Sequence, residues 1–494
     1  MLTNQLTEIT NALPALLPEL VLTVAFLLVL FLDLFKGKFI RLLMPLVALG
    51  ALTTYCALAV FPQAAVPENA LVMSQMLRLD GISRYASLLM GGAGLLTMTL
   101  AHFYKPLKTR EQGFGEFIAL VLAMVLGLGL MVKSANLLLL YLSVEVVSIS
   151  SCVLTALLRE RKHAAEAGLK YVLFGAMASG VMIYGMSFLY GFSGTLTFAD
   201  PAFGLNLEQA PNGLLVIGVV LTFIGFFFKA GAAPMHIWAP DVYEGAPTSI
   251  AALFSTAPKI AAVVVIARFL PSLPGSIWTD FLLPMLAVVS MASLVIGTFG
   301  ALRQQTVKRL LAFSSIAHIG FLLMPLLGGG ATGMTAIFFY ATVFLITNFG
   351  VFAMVQAVEG QREELLIADW AGLGKLLPAL GVAMVVQMVA LTGLPPTGGF
   401  TAKLLVFSSV WEQFERLNSA WLLWLLIVGL LLTVVSLFYY LRLPYVMFFK
   451  GTENQQKLTI PVDELLVIVG LAVLSLAIFF KADWLVELIK LVVG

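Results

Sequence analysis

Hydrophobic residues run along this chain in unbroken stretches of membrane-spanning length. They lie near 14–34, 42–61, 83–104, 116–132, 136–158, 166–191 and 212–230, then near 249–270, 277–300, 309–328, 334–357, 378–411, 420–448 and 464–480. A helix rising about 1.5 Å per residue needs about 20 apolar residues to cross the hydrocarbon core, so each stretch predicts one span and the total is about fourteen. The runs are continuously apolar, without alternation of period two, which excludes a β-barrel and predicts an all-α polytopic membrane protein.

Two stretches depart from a plain span. After Lys229, the sequence GAAPMHIWAPDVYEGAPTS brings Gly231, Pro234, Pro240 and Pro247 in quick succession. Inside the 34-residue run 378–411, LTGLPPTGGFTAKLL places Gly393, Pro395, Pro396, Gly398 and Gly399 together. Proline removes a backbone donor and clashes with the preceding turn, so helices 7 and 12 are expected to break. Freed backbone at membrane depth is tolerated only where protein or a water-filled cavity satisfies it. The breaks lie five spans apart, and an odd offset inverts one unit relative to the other, the trace of an inverted repeat. The expected organisation is a single membrane domain, 1–494, with three leading spans (14–104), two inverted five-helix units (116–270 and 277–448), and a last span with its tail (464–494).

Composition agrees: 61% of residues are hydrophobic and 11% charged, far from the mix of soluble domains. A net charge of +2 leaves no electrostatic footprint for nucleic acid. The basic residues instead predict topology. Lys36, Lys38 and Arg41, then Lys105, Lys108 and Arg110, then Arg159, Arg161 and Lys162, then Arg303, Lys308 and Arg309 all follow odd-numbered spans. Loops after even-numbered spans hold few, Lys133 and Arg416 being the clearest. The positive-inside rule then puts both termini outside, on the periplasmic side of a bacterial inner membrane. The amino-terminal stretch lacks a positive n-region and carries Glu8 and Glu19, so it reads as a retained first span rather than a cleavable signal.

The few ionisable groups in mid-span are the candidate chemistry, because a charge there costs several kcal/mol unless it is paired, hydrated or neutralised. Glu145 lies near the centre of the fifth span, too short to snorkel. Lys229 closes the first half of the seventh; the negative end of that half-helix dipole favours its charge while loss of water opposes it. Lys259 follows Pro258 mid-span, a natural relay between the breaks, and Lys403 follows the second break, where the start of a half-helix should present its positive end. Lys170, four residues past Glu166, is equally readable as a surface pair or a relay. His318 is a possible relay, as is His236, since imidazole donates from one nitrogen while accepting on the other. Asp241 and Glu244 are expected to shape or hydrate the segment after the first break, and Glu19 and Asp33, near span ends, are weaker candidates. Each of these groups has a plainer reading, a snorkelling lysine or a polar tie between helices. Cys56 and Cys152 are far apart and read as packing residues. His102, His163, His236 and His318 are scattered, and a haem held between two of them is the less favoured reading.

Three segments carry a resemblance: KAGAAPMHIWAPDVYEGAPTSIAALFSTAPK, RQQTVKRLLAFSSIAHIG and LTGLPPTGGFTAKLLVF. Together they resemble the proton-translocating antiporter-like subunit family of respiratory complex I, and the WAPDVYEGAPT wording is most similar to its subunit N branch. The resemblance extends over nearly the whole chain. It implies a fourteen-helix fold with two inverted five-helix units and a polar axis along the membrane centre. It implies that Glu145 pairs with Lys229, that Lys259 is the central relay, that Lys403 lies near the outward exit, and that Lys170 is a lesser member. It further implies that NADH, flavin (FMN), iron-sulfur clusters and quinone belong to partner subunits, with no cofactor or metal in this chain. The implied partners are a neighbouring antiporter-like subunit, small carboxylate-bearing membrane subunits and the bilayer. A stand-alone or Mrp-type cation/proton antiporter is the alternative of the same fold.

Overall fold

The computed structural model describes residues 13–35, 37–61, 70–104, 106, 113–158, 162–360, 366–451 and 458–493. Glu8, Lys36, Lys105, Lys108, Arg110, Arg159 and Arg161, invoked above for retention and topology, lie outside the described residues, as does the side chain of Lys162.

The apolar runs become helices α1 (Leu17–Asp33), α2 (Lys38–Val60), α3 (Gly81–Phe103), α4 (Phe114–Lys133), α5 (Leu137–Thr155), α6 (Lys162–Ser193), α7 (Asn212–Ala230) and α8 (Thr248–Phe269). They continue as α9 (Leu283–Leu302), α10 (Val307–Gly328), α11 (Gly330–Glu359), α12 (Pro378–Thr392), α13 (Gly398–Leu417), α14 (Ala420–Phe449), α15 (Val462–Phe480) and α16 (Ala482–Val493). Among the described residues, thirteen helices are long and apolar enough to cross a membrane. The expected twelfth span is two consecutive helices, α12 and α13. The first is 15 residues long, and the second carries Lys403, Glu412, Glu415 and Arg416.

Around the central α8 pack α3, α7, α10 and α11. Windows of α8, α10 and α11 are 94% buried, so the polar groups on these helices are cut off from lipid. Outer helices instead turn large apolar side chains outward, such as Leu27 (57% exposed), Val434 (64%) and Phe438 (70%), which suits hydrocarbon as the surrounding solvent. Close approach of α9 and α10 depends on glycine: a Cβ on Gly297 would lie 2.3 Å from the Ala317 nitrogen.

Two features at the periphery have no counterpart in the hydropathy pattern. An antiparallel hairpin, β1 (Ala70–Val72) with β2 (Leu77–Leu79), precedes α3 and pairs Ala70 with Leu79. The Met76 carbonyl accepts from the Ala135 nitrogen, pinning the hairpin to the α4–α5 turn. Asp80, next in sequence, caps α3 by accepting from the Ser83 nitrogen. At the other end of the chain, α16 packs on α11 and α3 with Leu485 and Ile489 buried and Trp484 and Leu491 outward.

Two residues counted above as topology signals are buried ion-pair members. Lys133 pairs with Glu19, and Lys308 pairs with Glu359 at 2.9 Å. Removing Lys133 from the even-numbered loops strengthens the charge asymmetry, while removing Lys308 weakens it.

Gly297→Leu should force α9 from α10 and cost about 1–3 kcal/mol of stability. It should be read as a lowered unfolding temperature in detergent. Gly180, in α6, whose Cβ would meet nothing within 4 Å, supplies the control: Gly180→Ala should leave the transition where it is or raise it slightly through helix propensity, and a fall equal to that of Gly297→Leu would refute the packing explanation.

Candidate proton-conducting site

The two predicted interruptions are both places where a helix ends. α7 terminates at Ala230, and Gly231 adopts φ +65°, the left-handed region that glycine enters without strain. Its freed backbone is satisfied by protein. Trp238 Nε1 donates to the Phe228 carbonyl at 3.1 Å, and the Ala233 nitrogen donates to Ser293 Oγ at 2.9 Å. Lys259 Nζ, from α8, donates to the Ala230 carbonyl at 2.9 Å. The second interruption repeats the device. α12 ends at Thr392, Gly393 adopts φ +85°, and Lys403 Nζ donates to the Thr392 carbonyl at 2.7 Å.

Each of these lysines is held by a glycine as well as a carbonyl. A Cβ on Gly231 would lie 2.7 Å from Lys259 Nζ, and one on Gly393 would lie 2.6 Å from Lys403 Cδ. Lys403 therefore does not meet the positive end of a half-helix, contrary to expectation. Although its Cα sits near the start of α13, its ammonium reaches back to the carbonyl end of α12, the negative end of that helix dipole. Lys229 lies in the last turn of α7, at the negative end of that helix as expected, while Lys259 donates to its last carbonyl. Lys229 Nζ donates to Tyr171 Oη at 3.2 Å, with the Tyr171 and Phe228 ring centroids 5.5 and 5.9 Å away. Lys403 Nζ lies 4.3 Å from the Phe321 ring centroid.

Lys229, Lys259 and Lys403 are all buried. Among the described residues, none forms an ion pair with a carboxylate; their partners are a phenol, carbonyls and aromatic faces. Glu145 is half-buried, and its Oε1 has no hydrogen-bond partner. Its helix neighbours Leu142 and Ile149 are 51% and 63% exposed. Glu145 thus lies at the margin of the outer face of α5 with Oε1 buried, and it makes no direct ion pair with Lys229.

Between Lys259 and Lys403 lies His318 on α10. Its Nδ1 is hydrogen-bonded to Tyr340 Oη at 2.6 Å, and its Nε2 to Tyr440 Oη at 2.8 Å. Tyr440 Oη continues to Ser314 Oγ at 2.6 Å. The adjacent Ser315 Oγ donates to Tyr243 Oη at 3.3 Å. A narrow cavity lined by His318, Tyr340, Thr347 and Lys403 has room for about one water. Every group in this chain can both donate and accept, which an apolar core has no reason to contain.

Lys170 stands apart from the buried row. It is 38% exposed and pairs with Glu166 at 2.6 Å and Asp241 at 2.7 Å. Arg309 in turn bridges Asp241 and Glu244, each at 2.9 Å. These residues form one charge cluster tying α6, the short helix Ala239–Gly245 and α10 together. His236 lies after the first break with its Nδ1 buried and unpartnered.

Sequence reasoning missed the tyrosines 171, 243, 340 and 440. A polar atom deep in an apolar run was the available signal. It also undervalued Glu19, whose partner Lys133 comes from α4, more than a hundred positions away. Among the described residues, no group of three or more His, Cys, Asp or Glu is placed to hold a metal.

The family described as NADH:quinone oxidoreductase/Mrp antiporter, TM, matches residues 134–436, from the turn before α5 into α14. The chain belongs to this family. A relative in Chloroherpeton thalassium, named NADH-quinone oxidoreductase subunit N 2, is 37% identical over 450 residues, covering 89% of this chain and 86% of the relative. Among solved structures, a chain of respiratory complex I from Thermus thermophilus matches with TM-score 0.78 and 28% identity, covering 95% of this chain and 98% of that one. A chain of the Mrp complex from Dietzia sp. shares the fold, with TM-score 0.76 and 20% identity over 100% of this chain and 97% of that one. The family match begins just before α5, so it takes in Glu145, Lys170, Lys229, Lys259 and Lys403 but leaves out both members of the buried Glu19–Lys133 pair.

Lys133→Met should leave Glu19 charged and unpaired in the interior and destabilise the protein by about 3–5 kcal/mol. Adding Glu19→Leu should restore most of that loss, measured as unfolding temperatures of both variants. A double variant no more stable than the single one would show that the pair does not act as a unit.

Proposed function

We propose that this chain is the proton-translocating, subunit N-type membrane subunit of an NADH:quinone oxidoreductase. The reading rests above all on one observation. Three buried lysines lie at the two helix interruptions with neutral hydroxyl, carbonyl and aromatic partners, and a histidine bonded to two tyrosines lies between the last two. A lysine locked to a carboxylate keeps its proton. One held by neutral oxygens can give it up when a neighbouring charge changes. At an effective dielectric of ~20, a unit charge ~7 Å away shifts that balance by about 2 kcal/mol, more than a tenfold change in proton affinity.

In this reading Glu145 receives the driving signal. It lies near the exposed face of α5, where a carboxylate-bearing neighbour can dock, and a change in its charge acts on Lys229. The proton then passes to Lys259, through His318 and its tyrosines, and on to Lys403. NADH, FMN, iron-sulfur and quinone chemistry belongs to the partner subunits, and this chain moves only protons. The two five-helix units are inverted copies, residues 116–270 and 277–448, whose interruptions are the two lysine-capped helix ends. In this reading both termini lie on the periplasmic side of a bacterial inner membrane, which the charge asymmetry of the loops supports. Lys170, bound to two carboxylates, is a lesser member that stands outside the row. The Mrp-type alternative is weaker because identity to that complex is 20%, and the PDVYEGAPT wording favours subunit N.

Lys229→Ala, Lys259→Ala and Lys403→Ala should each cut NADH-driven proton pumping in inside-out vesicles at least several-fold, with the complex still assembled. Glu145→Gln should do so more mildly. Full pumping by assembled Lys259→Ala and Lys403→Ala complexes would overturn the reading. So would Na⁺/H⁺ exchange by the purified chain alone in proteoliposomes, which would establish the antiporter.

A further inference from the structure

A second charge cluster, partly buried, lies away from the lysine row beside a cavity at the bundle end. At the bundle end where α8 stops, Asp80 takes Arg268 Nη2 and the Ser83 nitrogen on Oδ1. Arg78 Nε approaches its Oδ2 at 3.3 Å. The cluster therefore holds two guanidiniums against one carboxylate and keeps one net positive charge. Arg268 is almost wholly buried, its side chain 6% exposed, and its Nε has no hydrogen-bond partner. Arginine keeps its charge in any setting, so the excess cannot be removed by losing a proton.

These three residues form the polar lip of a pocket of about 520 Å³. Its remaining wall is mostly apolar, with Ile82, Leu282, Leu326, Met334 and Ile337 among the lining residues. Trp278 lines it as well, an amphipathic ring of the type that marks the level of lipid headgroups. The Gly329–Gly330 turn forms another side, where added Cβ atoms would meet nothing within 4 Å. The ends of α8 and α10 and the start of α11 all contribute, so the pocket lies where helices leave the bilayer, the depth of lipid phosphates.

We propose that this pocket binds one anionic phospholipid, its phosphate on Arg268 and Arg78 and an acyl chain against Leu282, Leu326 and Ile337. Charge complementarity selects the occupant. A zwitterionic lipid would bring no net countercharge to the two guanidiniums, of which Arg78 is half-exposed, and a free anion would leave the apolar wall exposed. Asp80 contributes by repelling any second phosphate and by keeping both guanidiniums in place. The site is independent of the proton path, since none of its residues belongs to the lysine row.

The test is native mass spectrometry of the purified, intact complex after exchange into nanodiscs of phosphatidylcholine doped with phosphatidylglycerol. The complex should retain phosphatidylglycerol at least several-fold over its share of the disc. Retention should fall to that share in Met334→Trp, which fills the pocket without touching a charge, and in Arg78→Gln. Arg268→Gln should act likewise if it folds. Retention unchanged in Met334→Trp and Arg78→Gln would overturn the proposal, as would equal retention of both lipids. Displacement by millimolar inorganic phosphate would also overturn it, marking a free-anion site instead.

Discussion

Backbone carbonyls freed inside a bilayer must find donors, and ammonium groups carried there must find acceptors. In this chain each need answers the other. α7 and α12 stop in the interior, where a carbonyl left open would cost several kcal/mol. Lys259 and Lys403 close those carbonyls, and the left-handed glycines after them leave room for the lysine stems. The same bonds that let the helices break hold the two lysines in place, and they do so without any carboxylate that would fix their protons.

That arrangement explains why the central helices are so thoroughly buried. α8, α10 and α11 carry Lys259, His318 and Tyr340, groups that lipid could not tolerate, and the surrounding helices take over the contact with hydrocarbon. Among the described residues, charge elsewhere in the interior is held in pairs such as Lys133 with Glu19 and Lys308 with Glu359, in the half-exposed cluster around Arg309, or against Asp80, which takes Arg268 and Arg78. The distinction between paired charges and hydroxyl-bound or carbonyl-bound ones separates the structural ionisable residues from those suited to transfer.

Much of the fold was legible because hydropathy in a bilayer is close to a sufficient code. A run of about 20 apolar residues has few alternatives to a spanning helix, and clustered Gly and Pro in such a run have few alternatives to a break. Elements that owe their existence to docking were not legible. The hairpin before α3 depends on the α4–α5 turn, and α16 depends on α11 and α3.

By itself the sequence determined that the protein is a helical membrane bundle, that helices end near Gly231 and Gly393, and that Lys229, Lys259, Lys403 and His318 would be buried in it, whereas Glu145 is only half-buried. Those facts follow from local composition, since burial in lipid is set by the apolar run around each residue. Tertiary structure alone decided the partners. It gave Lys259 the α7 carbonyl and turned Lys403 back to the end of α12. It set His318 between two tyrosines from other helices, and withdrew Lys133 and Lys308 from the loops into ion pairs. Which oxygen meets which nitrogen depends on contacts between segments tens to hundreds of residues apart, and no local pattern encodes that choice.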